Sequence, residues 1–278
     1  MSSNTQILNF KSIIIIVSMT RLITIISGKG GVGKTTLVSN LAAALSELGQ
    51  DVVAIDANLT TPNLGLHLGL HLAPRTLHDV LKGESRIKDA TYKHPLGFNI
   101  IPASLNLDDL RDVDIGRLPE VTLNLIGKSD FILMDSSAGL GREAINAITA
   151  SHEILIITNP DLPSVTDALK IAKVSEDVNK KVIGVVVNRT GGRWHELRKE
   201  KIEEILGAPV LVEIPEDVNV PQSTTLKRPV VDFFPDSPAS VEIRRLAHIL
   251  AEVPFKYEKP KVSSTFSIVE RLVNWMVG

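Results

Sequence analysis

The stretch LITIISGKGGVGKTT, residues 22–36, decides the fold of this chain. It joins a β-branched apolar run, Leu22–Ile26, to a glycine-rich loop and then to a helical pattern, Lys34–Leu48. Glycines let backbone N–H groups turn inward around a phosphate, and the start of the helix adds a favourable dipole. The spacing G-x-x-x-x-G-K-T after a strand therefore predicts a phosphate-binding loop, or P-loop.

Composition fits such a fold and excludes several kinds of site. The chain has 278 residues, which suggests one large domain or two small ones. Aromatic residues make up only 4%, so the core must consist of aliphatic side chains, as in a parallel sheet buried on both faces. The net charge of −2 shows no global attraction to nucleic acid and leaves a local basic patch open. The absence of cysteine excludes disulfides, thiolate zinc sites and cysteine-ligated iron–sulfur clusters.

Short apolar runs alternate with helical patterns along most of the chain. This alternation predicts a doubly wound α/β domain with a predominantly parallel sheet, whose strand-to-helix loops share one edge where ligands bind. The predicted strands are Leu22–Ile26, Val52–Asp56, Phe98–Ile101, Phe131–Asp135, Glu153–Thr158, Lys181–Asn188 and Val210–Glu213. The predicted helices are Lys34–Leu48, Glu143–Ala150, Val165–Val178, Trp194–Leu206 and Ser240–Ala251.

The two ends of the chain differ from the domain between them. We expect an N-terminal extension over residues 1–20, a P-loop domain over 21–253, a linker over 254–263 and an amphipathic helix over 264–278. The apolar run Ile13–Val17 is too short to span a membrane. The apolar face of the last helix comprises Phe266, Ile268, Val269, Leu272, Val273, Trp275, Met276 and Val277. Periodicity alone leaves two roles open for this face, contact with a membrane and contact with protein.

The side-chain chemistry of the loop and of two nearby aspartates predicts a role for each residue. We predict that its phosphate-binding residues are Gly30, Gly31, Val32, Gly33, Lys34, Thr35 and Thr36. Lys34 neutralises the β- and γ-phosphate oxygens, and the Thr35 hydroxyl ligates Mg²⁺. Asp56 and Asp135 each end an apolar strand, where a carboxylate can hold the metal through a water molecule. Mg·ATP is therefore the expected cofactor.

A second lysine, Lys29, gives the loop the form K-G-G-x-G-K-T-T. This loop resembles the deviant Walker A motif of the MinD/ParA family of P-loop ATPases. Other segments resemble archaeal-type MinD-like proteins: Asn63–Leu66, Asn159–Pro160, Ser164–Leu169 and Pro235–Ala239. The resemblance implies that Lys29 reaches across a dimer interface to the phosphates of the partner's nucleotide.

Asn58 departs from the family pattern. The resemblance implies D-x-D at positions 56–58, with the second aspartate orienting or deprotonating the attacking water. An amide can hydrogen-bond that water but cannot accept its proton, so we expect slow hydrolysis with Lys29, Lys34, Asp56 and Asn58 as the catalytic set. A naturally slow site and an engineered substitution account equally well for this asparagine.

The residues predicted to lie beside the nucleotide base favour adenine. Asn188 ends a strand at the position of the family's adenine-contacting asparagine, and Pro215 and Asp217 match the segment beside the base. A guanine-reading N-K-x-D motif would need an aspartate at position 191, where the chain has Gly191. We therefore expect ATP rather than GTP.

The resemblance implies a MinD-like ATPase that forms an ATP-sandwich homodimer. Through its C-terminal helix it would attach reversibly to the inner face of the cell membrane from the cytoplasm, and so position a partner or the cell-division machinery. One alternative is a ParA-like ATPase that binds DNA non-specifically. The other is a hydrolysis-poor, ATP-gated scaffold, which Asn58 supports.

Overall fold

The structure is a computed structural model, and it describes residues 20–70 and 72–256. These residues form one eight-stranded sheet with helices on both faces. The strands are β1 (Arg21–Ser27), β2 (Val52–Asp56), β3 (Tyr92–Lys93), β4 (Asn99–Ile101), β5 (Phe131–Ala138), β6 (Glu153–Thr158), β7 (Lys181–Thr190) and β8 (Val210–Pro215). The helices are α1 (Lys34–Glu47), α2 (Leu64–His67), α3 (Leu77–Lys82), α4 (Leu118–Leu123), α5 (Arg142–Ala150), α6 (Leu162–Asp177), α7 (Lys199–Leu206), α8 (Asn219–Thr225), α9 (Val230–Phe233) and α10 (Pro238–Leu250).

The strand order is β3-β4-β2-β5-β1-β6-β7-β8. The pairings are parallel except that of the short strand β3 with β4, so the predicted doubly wound α/β fold is confirmed. Parallel pairing places the carboxyl ends of the strands along one edge. The register of β2 and β5 sets Asp56 directly opposite Asp135 at that edge.

Aliphatic side chains fill both faces of the sheet, as the low aromatic content predicts. On one face α1, α9 and α10 cover a core that includes Leu41, Phe98 and Leu246. The opposite face carries two clusters, one under α3 and α4 and the other under α6 and α7. Burial of both faces holds the central strands rigidly and so fixes the positions of the loops at their carboxyl ends.

The prediction that a helix begins at Trp194 is wrong. Helix α7 begins at Lys199, and Trp194 is 95% exposed in the loop before it. The Glu196 carboxylate accepts hydrogen bonds from the backbone N–H groups of Gly191 and Gly192, at 2.9–3.1 Å, and bends this segment into a turn. A local side-chain bond to the backbone therefore competes successfully with the helix.

The predicted extension and tail lie outside the described part of the chain. Residues 1–19 and the amphipathic helix at 264–278 are not among the described residues. The last described helix, α10, is the one predicted at Ser240–Ala251 and belongs to the domain. Within the described ranges, no helix combines the length and apolar character that crossing a bilayer requires.

Candidate functional site: a nucleotide and magnesium site

The loop between β1 and α1 forms a cradle of backbone N–H groups. Gly31 and Gly33 have φ angles of +80° and +100°, a left-handed conformation that glycine adopts without steric cost. Gly33 is the N-cap of α1, and no side chain caps the helix there. The first turn of α1 also contains no acidic residue. These free N–H groups and the helix dipole fit an anionic phosphate.

Neighbouring elements hold this loop in shape. A Cβ atom added to Gly28 would lie 2.3 Å from the carbonyl carbon of Asp167, so α6 packs directly on the loop. A Cβ atom at Gly33 would lie 2.5 Å from Asn188 Nδ2. The Asp167 backbone at Gly28 and the Asn188 side chain at Gly33 thus leave no room for a side chain at either position.

Thr35 and Asp135 meet beside the cradle. The Thr35 hydroxyl donates a 2.6 Å hydrogen bond to Asp135 Oδ2. Asp135 is 1% exposed, and its other oxygen, Oδ1, is buried without a hydrogen-bond partner. A buried carboxylate oxygen without a donor is costly unless a cation or a water binds it.

Asp56 holds the segment that follows β2. Its Oδ1 accepts the backbone N–H of Asn58 at 3.3 Å, and its Oδ2 accepts those of Asn63 and Leu64 at 3.0 and 2.9 Å. The Asp56 carboxylate therefore fixes the backbone of residues 58–64 relative to the sheet. Sequence reasoning assigned this residue to the metal and missed that second role, because the three amides come from the irregular loop after β2 and the start of the short helix α2.

Burial and the repulsion between two carboxylates shift the pKa values of the ionisable groups in this site. Burial raises the pKa of Asp135 to about 6. Burial also raises the pKa of Asp56 well above its usual range, and the charge of Asp135 raises it further. The pKa of Lys34 is lowered by burial, against the opposing effect of both aspartates. Two carboxylates that resist ionisation in the same place indicate a site built to receive positive charge.

The residues present fit Mg²⁺. A hydroxyl and two carboxylates are hard oxygen donors, and the partnerless Asp135 Oδ1 belongs to the same carboxylate that the Thr35 hydroxyl contacts. Among the described residues no three His, Asp or Glu side chains cluster as a metal cage. That small donor set suits Mg²⁺, which takes its remaining ligands from nucleotide phosphates and water.

Asn58 is engaged within its own loop. Its Nδ2 donates to the carbonyl of Thr61 at 2.6 Å, and its Oδ1 accepts from the Thr61 hydroxyl at 3.1 Å. The structure thus places Asn58 next to Asp56, as the spacing predicts, with both polar atoms of its amide used in a turn. Its predicted contact with the attacking water stays a prediction.

A cleft of about 550 Å³ extends from Gly33 and Thr36 along the ends of β7 and β8. Asn188, Pro215 and Asp217 line it, so the residues predicted beside the base lie together there. Both Asp217 oxygens accept backbone N–H groups, from Asn219 at 2.9 Å and Ala239 at 3.1 Å. Asp217 therefore shapes the wall of the cleft by joining α8 to α10.

Asn188 connects this cleft to the phosphate loop. Its Nδ2 donates a 2.7 Å hydrogen bond to the carbonyl of Val32. This bond orients the amide and leaves Oδ1 as an acceptor. An acceptor suits the exocyclic amine of adenine and opposes the carbonyl of guanine. Sequence reasoning missed the contact with Val32, because the two residues are 156 positions apart.

Lys29 lies at the outer rim of the loop. Its side chain is exposed, and its backbone carbonyl accepts the Ser27 hydroxyl at 2.8 Å. The ammonium group is thus presented to solvent at the sheet edge while the backbone stays fixed. A role across a dimer interface stays a prediction.

Most of this chain matches a known family of proteins. The family described as the CobQ/CobB/MinD/ParA nucleotide binding domain matches residues 23–230. The chain belongs to the MinD/ParA family. An uncharacterized ATP-binding protein of Methanocaldococcus jannaschii is 38% identical over 237 residues, which cover 85% of this chain and 90% of that protein.

Two solved structures extend the likeness to MinD proteins. The septum site-determining protein MinD of Pyrococcus horikoshii, complexed with Mg-ADP, matches with a TM-score of 0.81 and 37% identity, over 84% of this chain and 96% of that one. The MinC:MinD cell division protein complex of Aquifex aeolicus matches with a TM-score of 0.76 and 32% identity, over 86% and 98%. The predictions of a MinD/ParA-family P-loop ATPase and of ATP and Mg²⁺ as its cofactors are confirmed.

Proposed function

We propose that this protein is a MinD-like ATPase that dimerises around two Mg·ATP and then attaches reversibly to a membrane. The main support for Mg·ATP binding is the hydrogen bond from Thr35 to Asp135, whose other carboxylate oxygen is buried without a partner. That pair lies at the base of a glycine cradle with uncapped helical N–H groups. Polyphosphate and metal together satisfy every group that the site leaves without a partner.

Each residue has a defined task in binding. The loop amides hold phosphate oxygens, and Lys34 neutralises the β- and γ-phosphate charge. Thr35 and Asp135 hold Mg²⁺, with Asp56 beside them, and the metal supplies charge neutralisation on the same phosphates. Asn188 orients the base by the acceptor that its bond to Val32 leaves free.

Hydrolysis that relies on the residues of the motif alone would be slow. Asn58 occupies the position of the family's second aspartate, and its amide is held by Thr61. General-base assistance contributes about 10²- to 10⁴-fold to such reactions, and an amide supplies none of it. Without a proton acceptor from another element of the chain, the ATP-bound state would therefore be long-lived.

The exposed Lys29 supports the dimer. An exposed ammonium group at the rim of the phosphate cradle can reach an anion that a second copy of the protein presents at its own sheet edge.

Dimerisation would also bring two C-terminal helices together. One such helix binds a membrane weakly, but two linked helices gain avidity of roughly 10² or more. Nucleotide state would thereby control attachment, with the protein peripheral on the inner face of the cell membrane. The relative in the MinC:MinD complex suggests that this chain also recruits a protein partner.

The second candidate function is an ATP-gated scaffold that hardly hydrolyses ATP. The double hydrogen bond between Asn58 and Thr61 favours it, because it ties both polar atoms of the amide to the turn. A turnover assay at saturating Mg·ATP separates the two functions. Release of phosphate above the rate of a Lys34→Ala variant supports the ATPase, and no release supports the scaffold.

Light scattering with a Lys29→Ala variant tests the dimer. ATP should shift the wild type from monomer to dimer, whereas Lys29→Ala should bind ATP by calorimetry and remain monomeric. Lys128→Ala is the matched control, since Lys128 is an exposed lysine that precedes β5 at the opposite edge of the sheet. A Lys29→Ala variant that dimerises as the wild type does would exclude the role across the interface.

A further inference from the structure

A cavity of about 460 Å³ lies beside Asn58, between the loop after β2 and the start of α5. Asn58, Thr60 and Thr61 line one side, and Ser137, Arg142 and Glu143 line the other. Glu143 is the only acid among the lining residues of this cavity. An acid from a different element therefore shares a cavity with the position where the family carries its second carboxylate.

Glu143 is bonded to the loop that carries Asn58. Its Oε1 accepts the hydroxyl of Thr60 and also the backbone N–H of Thr60, at 3.2 Å. Glu143 is half-buried in the first turn of α5, where the helix dipole favours a negative charge. Two bonds to one residue fix the direction of the carboxylate, and within residues 20–70 and 72–256 no hydrogen bond occupies Oε2.

The other two acids at this sheet edge already have tasks, Asp56 in holding the loop after β2 and Asp135 in the proposed metal site. Asp56 accepts three backbone N–H groups, and Asp135 accepts the Thr35 hydroxyl. Asn58 is held by Thr61 and has no basic atom. Glu143 thus combines an ionisable group, an oxygen without a bond and a fixed position beside Asn58.

We propose that Glu143 is the proton acceptor for ATP hydrolysis in this chain, in place of the carboxylate that Asn58 lacks. This inference rests on the proposed ATPase function. A water oxygen forms a bond to the γ-phosphorus as the bond from that phosphorus to the β–γ bridging oxygen breaks, and ADP keeps the electron pair. One proton of the water passes to Glu143 Oε2 and returns to solvent after phosphate leaves. Thr60 directs the acceptor oxygen through its two bonds to Oε1.

Two substitutions at position 143 separate proton acceptance from loop anchoring. In Glu143→Gln an amide oxygen still accepts from Thr60, but the side chain cannot take a proton. In Glu143→Ala both functions are lost. We expect Glu143→Gln to lower kcat by on the order of 10²-fold. The KM and the Kd for Mg·ATP should stay within about twofold, because the residue lies outside the phosphate cradle.

Adding Asn58→Asp to Glu143→Gln should restore at least about tenfold of kcat, since it returns a carboxylate to the same cavity. Glu176→Gln serves as the matched control, because Glu176 is exposed near the far end of α6. Thermal unfolding shows whether each variant is folded, and calorimetry shows whether it binds ATP.

The outcomes are distinct. A wild type that turns over while Glu143→Gln keeps the wild-type kcat overturns the proposal, and if Glu143→Ala alone is slow, Glu143 only anchors Thr60. A wild type that binds Mg·ATP without turnover overturns the ATPase function itself. A selective loss of kcat in Glu143→Gln, rescued by Asn58→Asp, supports the assignment.

Discussion

Replacing Asp135 with asparagine should stabilise the nucleotide-free protein while abolishing its response to magnesium. The carboxyl group is 1% exposed, and burial raises its pKa from 3.8 to about 6. The folded protein therefore binds this proton more tightly than the unfolded chain does. Stability from this group is fully present below pH 3.8 and is lost as the pH rises through about 6.

The pKa shift of Asp135 determines the size of the expected change in the free energy of unfolding. A difference of about 2 pKa units corresponds to about 3 kcal/mol of unfolding free energy at about pH 7.5. Asparagine keeps the shape and can still accept the Thr35 hydroxyl, but it leaves a buried amide N–H₂ without a partner, which costs about 1–2 kcal/mol. We therefore expect Asp135→Asn to raise the free energy of unfolding by roughly 1–2 kcal/mol at about pH 7.5.

Urea unfolding without nucleotide measures this change at two pH values. The advantage of Asp135→Asn should shrink or reverse near pH 5, where Asp135 in the folded wild type is mostly protonated. Adding Mg·ATP should raise the unfolding midpoint of the wild type and leave that of the variant nearly unchanged. Asp177→Asn is the control, since Asp177 is exposed at the end of α6.

Two results would refute this reasoning. Asp135→Asn could be less stable than the wild type at both pH values, which would mean that the ionised carboxylate is well paired without a metal. Alternatively, the difference could be independent of pH, which would place the Asp135 pKa near its ordinary value.

The remaining predictions concern the loop itself. Gly28→Ala forces a Cβ atom onto the Asp167 backbone and should lower the free energy of unfolding by about 1–3 kcal/mol, whereas Gly30→Ala, with no atom within 4 Å of its Cβ, should change it by less than about 0.5. Equal unfolding midpoints for the two variants would contradict the close packing of α6 on the loop. Asn188→Ala removes the bond to the Val32 carbonyl and should weaken Mg·ATP binding by about tenfold in calorimetry. An unchanged Kd would show that the loop holds its shape without Asn188.

Sequence predicts the buried elements of this protein well, because burial on two faces imposes continuous apolar runs. Strands β2 and β6 have the predicted bounds, Val52–Asp56 and Glu153–Thr158. The edge strand β3 was missed, since its two residues, Tyr92 and Lys93, carry no periodic signal. The start of α7 was misplaced, because the bonds from Glu196 to its neighbouring amides depend on side-chain geometry.

The candidate site likewise has residues that the sequence predicts and contacts that it does not. The phosphate loop, Asp56 and Asp135 follow from local motifs, and parallel strand pairing brings the two aspartates together. Contacts between distant segments could not be predicted from spacing. The bond from Asn188 to Val32 and the bonds from Thr60 to Glu143 exist only because the folded sheet edge juxtaposes these loops. The second of these contacts supplies an acid that the motif itself does not contain.

Sedimentation with anionic liposomes tests the ATP-controlled membrane attachment most directly. The full-length protein and a version that ends at Val253 would each be spun with vesicles in ATP and in ADP. A matched pair of full-length variants, Leu272→Glu on the predicted apolar face of the tail and Ser267→Glu on its predicted polar face, separates helix insertion from charge. We predict that only the full-length protein and Ser267→Glu sediment, and that they do so in ATP. Full-length protein that stays in the supernatant in both nucleotides would contradict the membrane switch and assign the tail to a protein contact.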